Sequence, residues 1–225
     1  MQHDETDDDE GNNAPASPTC YARELDEAWL KPLSPEEQAR QVAQWRRQER
    51  ERLVALRVAR PAEERQAIAE QVGRELDQLV ALDALVSLYW PFRGELDLRP
   101  WMRAFVAQGG RAALPVVAAK GEPLVFRAWT PSCRMTHGVW KIPIPAQGPD
   151  VVPDVVVAPL VGHDPKCYRL GYGGGFFDRT LAAFADKPLA IGVGDGSGAI
   201  ASIYPQEHDI PMDVILTEAG RQWRA

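Results

Sequence analysis

Val151-Val152-Pro153-Asp154-Val155-Val156-Val157-Ala158-Pro159-Leu160 is the stretch on which the fold turns. A strand with one wet face alternates apolar and polar residues, whereas here the apolar residues fall on both faces. That pattern belongs to a central strand of a parallel sheet covered on both sides. Pro153 lies near its start and Pro159 near its end. The chain then enters Arg169-Leu170-Gly171-Tyr172-Gly173-Gly174-Gly175-Phe176-Phe177-Asp178-Arg179, where glycines crowd between two arginines and an aspartate. Such a backbone tolerates positive φ, and its amides can form a concavity for an anion. Arg169 can clamp phosphate, Asp178 can hold a hard cation, and the helix beginning near Asp178 would direct its N-terminus at the ligand. No Gly-Lys-Ser/Thr follows, so this is not a P-loop. Phe176 occupies the third glycine position of a dinucleotide fingerprint, so it is not that either. A tight structural turn and a ligand loop both remain open on these residues alone.

Outward from this pair, the pattern alternates. Ser34-Pro35-Glu36-Glu37 reads as a cap, first-turn proline and capping acid of a helix over 34–59. Arg47, Arg50 and Arg57 share one side of it, and Arg47 and Arg50 could reach an anion together; the alternative is a solvated basic face. A second helix from Pro61 places Ile68, Val72, Leu76, Leu79 and Val80 toward the core. A strand over 85–90, a helix over 99–108 and a strand over 112–118 form a parallel crossover unit. Segment 123–148 predicts short strands or loop. A helix over 179–185, a strand over 189–193, a glycine-rich turn near the site entrance and a strand over 214–217 complete the chain. The fold class is α/β: a single three-layer α/β/α domain with a mainly parallel, Rossmann-like open sheet. Ligands of such sheets sit beyond the carboxyl ends of the strands. Two loops qualify, 92–97 with Glu95, and 167–178.

Of a formal charge of -7, six negative charges (Asp4, Glu5, Asp7, Asp8, Asp9, Glu10) fall in residues 1–19 without a Lys or Arg, leaving -1 elsewhere. Residues 1–33 therefore read as an acidic, disordered tail and 34–225 as the folded domain. A net acidic chain whose arginine helix lacks interleaved aromatics excludes a nucleic-acid partner. Cys20, Cys133 and Cys167 have neither disulfide nor metal spacing, and His137, His163 and His208 show no zinc pattern. Without a signal peptide or an apolar run long enough to span a bilayer, the expectation is a cytoplasmic protein with no membrane partner, a monomer or weak dimer.

Four pieces in this order resemble the 5-formyltetrahydrofolate cyclo-ligase, or methenyltetrahydrofolate synthetase, family over roughly residues 39–218. They are Leu88-Tyr89-Trp90-Pro91-Phe92-Arg93-Gly94-Glu95-Leu96-Asp97, Leu114-Pro115-Val116-Val117, the loop Tyr168 to Arg179, and Glu207-His208-Asp209-Ile210-Pro211-Met212-Asp213. The resemblance implies ATP- and Mg²⁺-dependent conversion of 5-formyltetrahydrofolate, with or without a polyglutamyl tail, to 5,10-methenyltetrahydrofolate, ADP and phosphate. The formyl oxygen would be phosphorylated and N10 would close the ring. Carried over, Arg169 and Glu95 would be catalytic. Arg47, Arg50, Arg169, Gly171, Tyr172, Gly173, Gly174, Gly175 and Phe176 would hold ATP. Trp90, Phe92, Glu95, Trp140, Phe176 and Phe177 would hold the folate, and Asp178 and Asp209 the Mg²⁺. The chain departs from the family at several positions. Arg47 stands for the usual lysine of a Lys-x-x-x-Arg or Lys-x-x-Arg pattern, Phe176-Phe177 for a double tyrosine, His163 and Cys167 for Phe and Gly, and Ile144-Pro145 for Glu-Pro. These departures motivate the alternative of a non-catalytic folate- or nucleotide-binding homologue.

Overall fold

A computed structural model describes residues 34–224, so the tail expected over 1–33 lies outside the described residues. Contacts divide the chain into units 1–40 and 41–225; apart from the first turn of its first helix, the account below concerns the second. Helix α1 (Pro35–Ala59) opens with the expected capping box: Ser34 Oγ accepts from Glu37 N, and Glu37 Oε2 accepts from Ser34 N. Helix α2 (Ala62–Leu79) follows, buried along Ile68, Ala69, Val72, Gly73 and Leu76 as the helical spacing requires.

The central sheet runs β12-β11-β10-β7-β1-β2-β3-β6. Its elements are β1 (Leu85–Ser87), β2 (Arg111–Val117), β3 (Leu124–Trp129), β6 (Asp150–Val151), β7 (Val155–Pro159), β10 (Leu189–Val193), β11 (Val214–Thr217) and β12 (Gly220–Trp223). The ladders from β11 through β10, β7 and β1 to β2 are parallel, and β12, β3 and β6 pair antiparallel at the two margins. Helix α3 (Arg99–Ala107) connects β1 to β2 in the expected crossover.

β7 sits in the interior of the sheet, and its residues alternate between two cores. Val155 and Val157 join the layer containing α2 and α3, while Val156 and Ala158 join the layer containing Leu181 of α4 (Phe176–Ala183). The long apolar run is nevertheless two strands. Val151 pairs with Phe126 at the far margin, and the chain crosses to β7 at Pro153-Asp154. Proline cannot donate to a ladder. Asp154 then anchors the new strand, its N donating to Leu85 O (2.9 Å) and its carboxylate accepting from Leu85 N (2.7 Å).

Two short hairpins position the site: β4 (Met135–His137) with β5 (Pro143–Pro145), and β8 (Gly162–His163) with β9 (Arg169–Leu170). β12 and the length of β3 were not anticipated, and β1 stops at Ser87 rather than continuing to Trp90. The glycine-rich turn expected near the site entrance instead lies within and just after β10, where Gly194 packs on Leu160 and lines no part of the cavity described below.

Candidate active site

The carboxyl ends of β1, β2 and β7 open into a cavity of about 240 Å³. One wall is the glycine loop between β9 and α4. Gly173 (φ +89°) and Gly175 (φ +62°) adopt the left-handed conformation, which glycine enters without a Cβ penalty. Arg50 also packs close to the loop: a Cβ on Gly173 would lie 3.3 Å from its guanidinium carbon. Gly175 caps α4, whose amide dipoles converge on the loop. Arg179 braces the turn by donating to Gly174 O at 2.6 Å and lying over the Phe176 ring.

Three arginines face this wall. Arg169, on β9, is buried and donates to Asp178 Oδ2 at 2.9 Å, and its Nε has no partner. Burial holds its pKa below the ordinary value, opposed by Asp178 and Asp209. Arg50 donates to Gly171 O at 2.6 Å and makes no ion pair among the described residues. Partial burial and the neighbouring Arg46 lower its pKa, so an anion placed there would meet an underused cation. Arg46 binds Asp209 through two bonds of 2.5 and 3.2 Å and also donates to Ile203 O and Tyr204 O.

Arg47 is outside the cavity. Its side chain is 80% exposed and pairs along the helix with Glu51. The geometric reason is the inward stripe of α1, fixed by Leu53, which is 2% exposed. At about 100° per residue, Arg46 lies about 20° from Leu53 and Arg47 about 120° away. Arg46, Arg50, Leu53 and Arg57 thus share the inner face. Arg47-x-x-Arg50 and Arg46-x-x-x-Arg50 each fit one of the two family spacings, and anchoring the register on the buried leucine would have selected Arg46.

The opposite wall is apolar and aromatic. Phe92 stacks on Trp140 (centroids 6.3 Å, 13° between planes) and meets Tyr172 edge-on (5.8 Å), while Trp140 meets Phe176 edge-on (6.2 Å). Trp140 is held at φ 56° at the tip of the β4–β5 hairpin, with Ile142 and Ile144 lining the cavity beside it. Trp90 and Phe177 also line it. Glu95 is buried against this surface, with Oε2 accepting from Phe92 N at 2.8 Å. Burial pushes its pKa up to about 7, against the opposing effects of Arg57 and the Phe92 amide.

One cavity therefore gathers Arg50, Arg169, Gly171 to Phe176, Phe177, Trp90, Phe92, Glu95, Trp140, Asp178 and Asp209. The chemistry of the donor set suits a polyphosphate with a divalent cation on one side and a flat, partly apolar ligand on the other. Asp178 and Asp209 are each paired with an arginine, and Asp178 also accepts from Ile210 N at 3.3 Å. No cluster of three or more metal-ligating side chains occurs among the described residues. Magnesium in phosphate sites uses one or two carboxylates plus phosphate oxygens, which this pair can supply.

A sequence model described as the 5-formyltetrahydrofolate cyclo-ligase family matches residues 42–218. The chain belongs to that family. Relatives named 5-formyltetrahydrofolate cyclo-ligase include one from Escherichia coli K12, 32% identical over 145 residues, covering 61% of this chain and 80% of that protein. Another, from Mycolicibacterium smegmatis, is 28% identical over 165 residues, covering 70% and 85%. The 5,10-methenyltetrahydrofolate synthetase of Aquifex aeolicus superposes with a TM-score of 0.69 at 28% identity, covering 79% of this chain and 92% of that one. Family membership agrees with the mostly parallel central sheet. No helix among the described residues is long and apolar enough to cross a membrane.

Proposed function

We propose that the chain is an ATP- and Mg²⁺-dependent 5-formyltetrahydrofolate cyclo-ligase, forming 5,10-methenyltetrahydrofolate, ADP and phosphate. The observation that carries the reading is the single cavity in which Arg50, without a carboxylate partner among the described residues, buried Arg169 and the glycine loop face the stacked aromatics and buried Glu95. A formamide carbon is a poor electrophile and its oxygen a poor leaving group. Transfer of the γ-phosphoryl group to the formyl oxygen makes that oxygen leave as phosphate when N10 attacks the carbon and gives up its proton. Magnesium, held by Asp178 and Asp209 with the phosphates, would supply charge neutralisation.

The chain's own residues do the rest. Gly171 to Gly175 present backbone amides, and Arg46, Arg50 and Arg169 present guanidinium groups, where charge collects on the phosphoryl oxygens. Trp90, Phe92, Trp140, Phe176 and Phe177 cover the pterin and aminobenzoyl rings and exclude water that would hydrolyse an activated formyl group. Glu95, titrating near neutrality, can hold or release a proton at its carboxyl oxygen beside the pterin. The same reading takes small molecules as the ligands and a monomer or weak dimer as the working form. The test is coupled formation of methenyltetrahydrofolate and ADP from 5-formyltetrahydrofolate, ATP and Mg²⁺. Tight binding of both ligands without turnover would favour the non-catalytic homologue.

A further inference from the structure

Arg57, in the last turn of α1, is buried to 5% exposure yet hydrogen-bonds to no carboxylate among the described residues. Its donors go to three separate segments instead. Nε donates to Arg93 O (3.1 Å) in the Glu95 loop, Nη1 to Leu160 O (3.1 Å) at the exit of β7, and Nη2 to the Tyr172 hydroxyl in the glycine loop. The Tyr172 hydroxyl in turn donates to Phe92 O at 3.3 Å, and Phe92 N donates to Glu95. Gly94 (φ +76°) lets this loop press on the end of α1, where an added Cβ would lie 3.4 Å from Arg57 O. A buried guanidinium serving carbonyls and a phenol is expensive to desolvate, and a purely structural filler of that volume would be apolar.

We propose that Arg57 is a positioning residue that fastens the Glu95 loop to the glycine loop through Tyr172, coupling ligand binding at the two halves of the cavity. The proposal rests on the cyclo-ligase reading and extends it. Phosphates engaging Gly171 to Gly175 fix Tyr172, and Tyr172 with Arg57 fixes the carbonyls of Phe92 and Arg93 and so the orientation of Glu95. The charged and titratable groups coupled to Glu95 are Arg57 from α1, Tyr89 from the strand exit and Tyr172 from the glycine loop, while Asp97 and Arg93 of its own loop act on Tyr89 and Tyr172 respectively. Tyr172, its pKa pushed up to about 12 chiefly by burial, stays a neutral donor throughout the working range.

The experiment compares wild type, Tyr172→Phe, Arg57→Lys and Arg57→Gln. Affinity for 5-formyltetrahydrofolate is measured calorimetrically with and without the β,γ-imido analogue of ATP plus Mg²⁺, and kcat/KM is followed against pH. In wild type the analogue should tighten folate binding by about tenfold, and Tyr172→Phe and Arg57→Lys should reduce that factor to about twofold or less. Arg57→Gln removes the charge that holds the Glu95 pKa down, so the apparent pKa of kcat/KM should move upward. Arg57→Lys keeps the charge and should leave it near the wild-type value. Should Arg57→Gln fail to fold, the other two variants still decide the matter. An undiminished coupling factor in both would overturn the link, as would a wild type whose ligands bind independently. These binding measurements score the link separately from the enzyme reading, which instead falls if wild type binds both ligands and forms no methenyltetrahydrofolate.

Discussion

Replacing Glu95 by glutamine separates stability from function at the centre of the site. In the folded protein this carboxyl keeps its proton up to about 7, against an ordinary value of 4.5, because burial outweighs Arg57 and the Phe92 amide. Between those values the folded state binds more protons at this carboxyl than the unfolded chain, so its contribution to stability is greatest in acid and falls as pH rises through the window. The full interval corresponds to about 3 kcal/mol of destabilisation once the pH exceeds about 7.5. Glutamine fills the same volume and can still accept from Phe92 N, but it never ionises. Glu95→Gln should therefore lie within about 1 kcal/mol of wild type near pH 5 and gain a further ~2–3 kcal/mol of relative unfolding free energy by about pH 8.5. Urea denaturation at the two pH values, read as the difference between variant and wild type, cancels other titrating groups. The same variant should bind the ATP analogue normally and lose most turnover. A variant uniformly less stable at both pH values would refute the buried, late-titrating carboxyl.

Asp178→Ala leaves Arg169 buried without its partner, so it should lose about 3 kcal/mol of stability as well as Mg²⁺-dependent turnover. Asp178→Asn, which can still accept from Arg169, should spare most of the stability and still lose turnover. Arg46→Ala should weaken ATP binding at least about tenfold and destabilise the fold, because Asp209 is left unpaired. Arg47→Ala should change stability by less than about 0.5 kcal/mol and leave ATP affinity unaltered in calorimetry. Trp140→Ala removes a side chain that is 55% exposed, so the melting temperature should hold while folate affinity, followed by fluorescence titration, falls by about 1–2 kcal/mol.

The layers of the fold were legible because local pattern and burial agree in them: β10 and β11 fall on the expected residues, and the crossover from β1 through α3 to β2 follows from alternation alone. The valine run misled because Val151 of β6 and the valines of β7 stand in one apolar stretch; only the ladder-breaking proline and the anchoring Asp154 divide it, and both needed their partners to be seen. Glycine-loop spacing and the Glu95 element located both halves of the cavity, since each is a local motif at the end of a strand. Arg46 was missed by a single helical position, because arginines fill both faces of α1 and only Leu53 reveals which is inward. Arg57 carries no motif at all: its role arises from three segments far apart in sequence that meet at one guanidinium.

The most direct measurement is turnover of the purified wild-type protein with 5-formyltetrahydrofolate, ATP and Mg²⁺, following near-ultraviolet absorbance of methenyltetrahydrofolate together with ADP. The account predicts equimolar formation of the two products, abolished by omitting ATP or chelating Mg²⁺. Saturable binding of both ligands with neither product formed would contradict it.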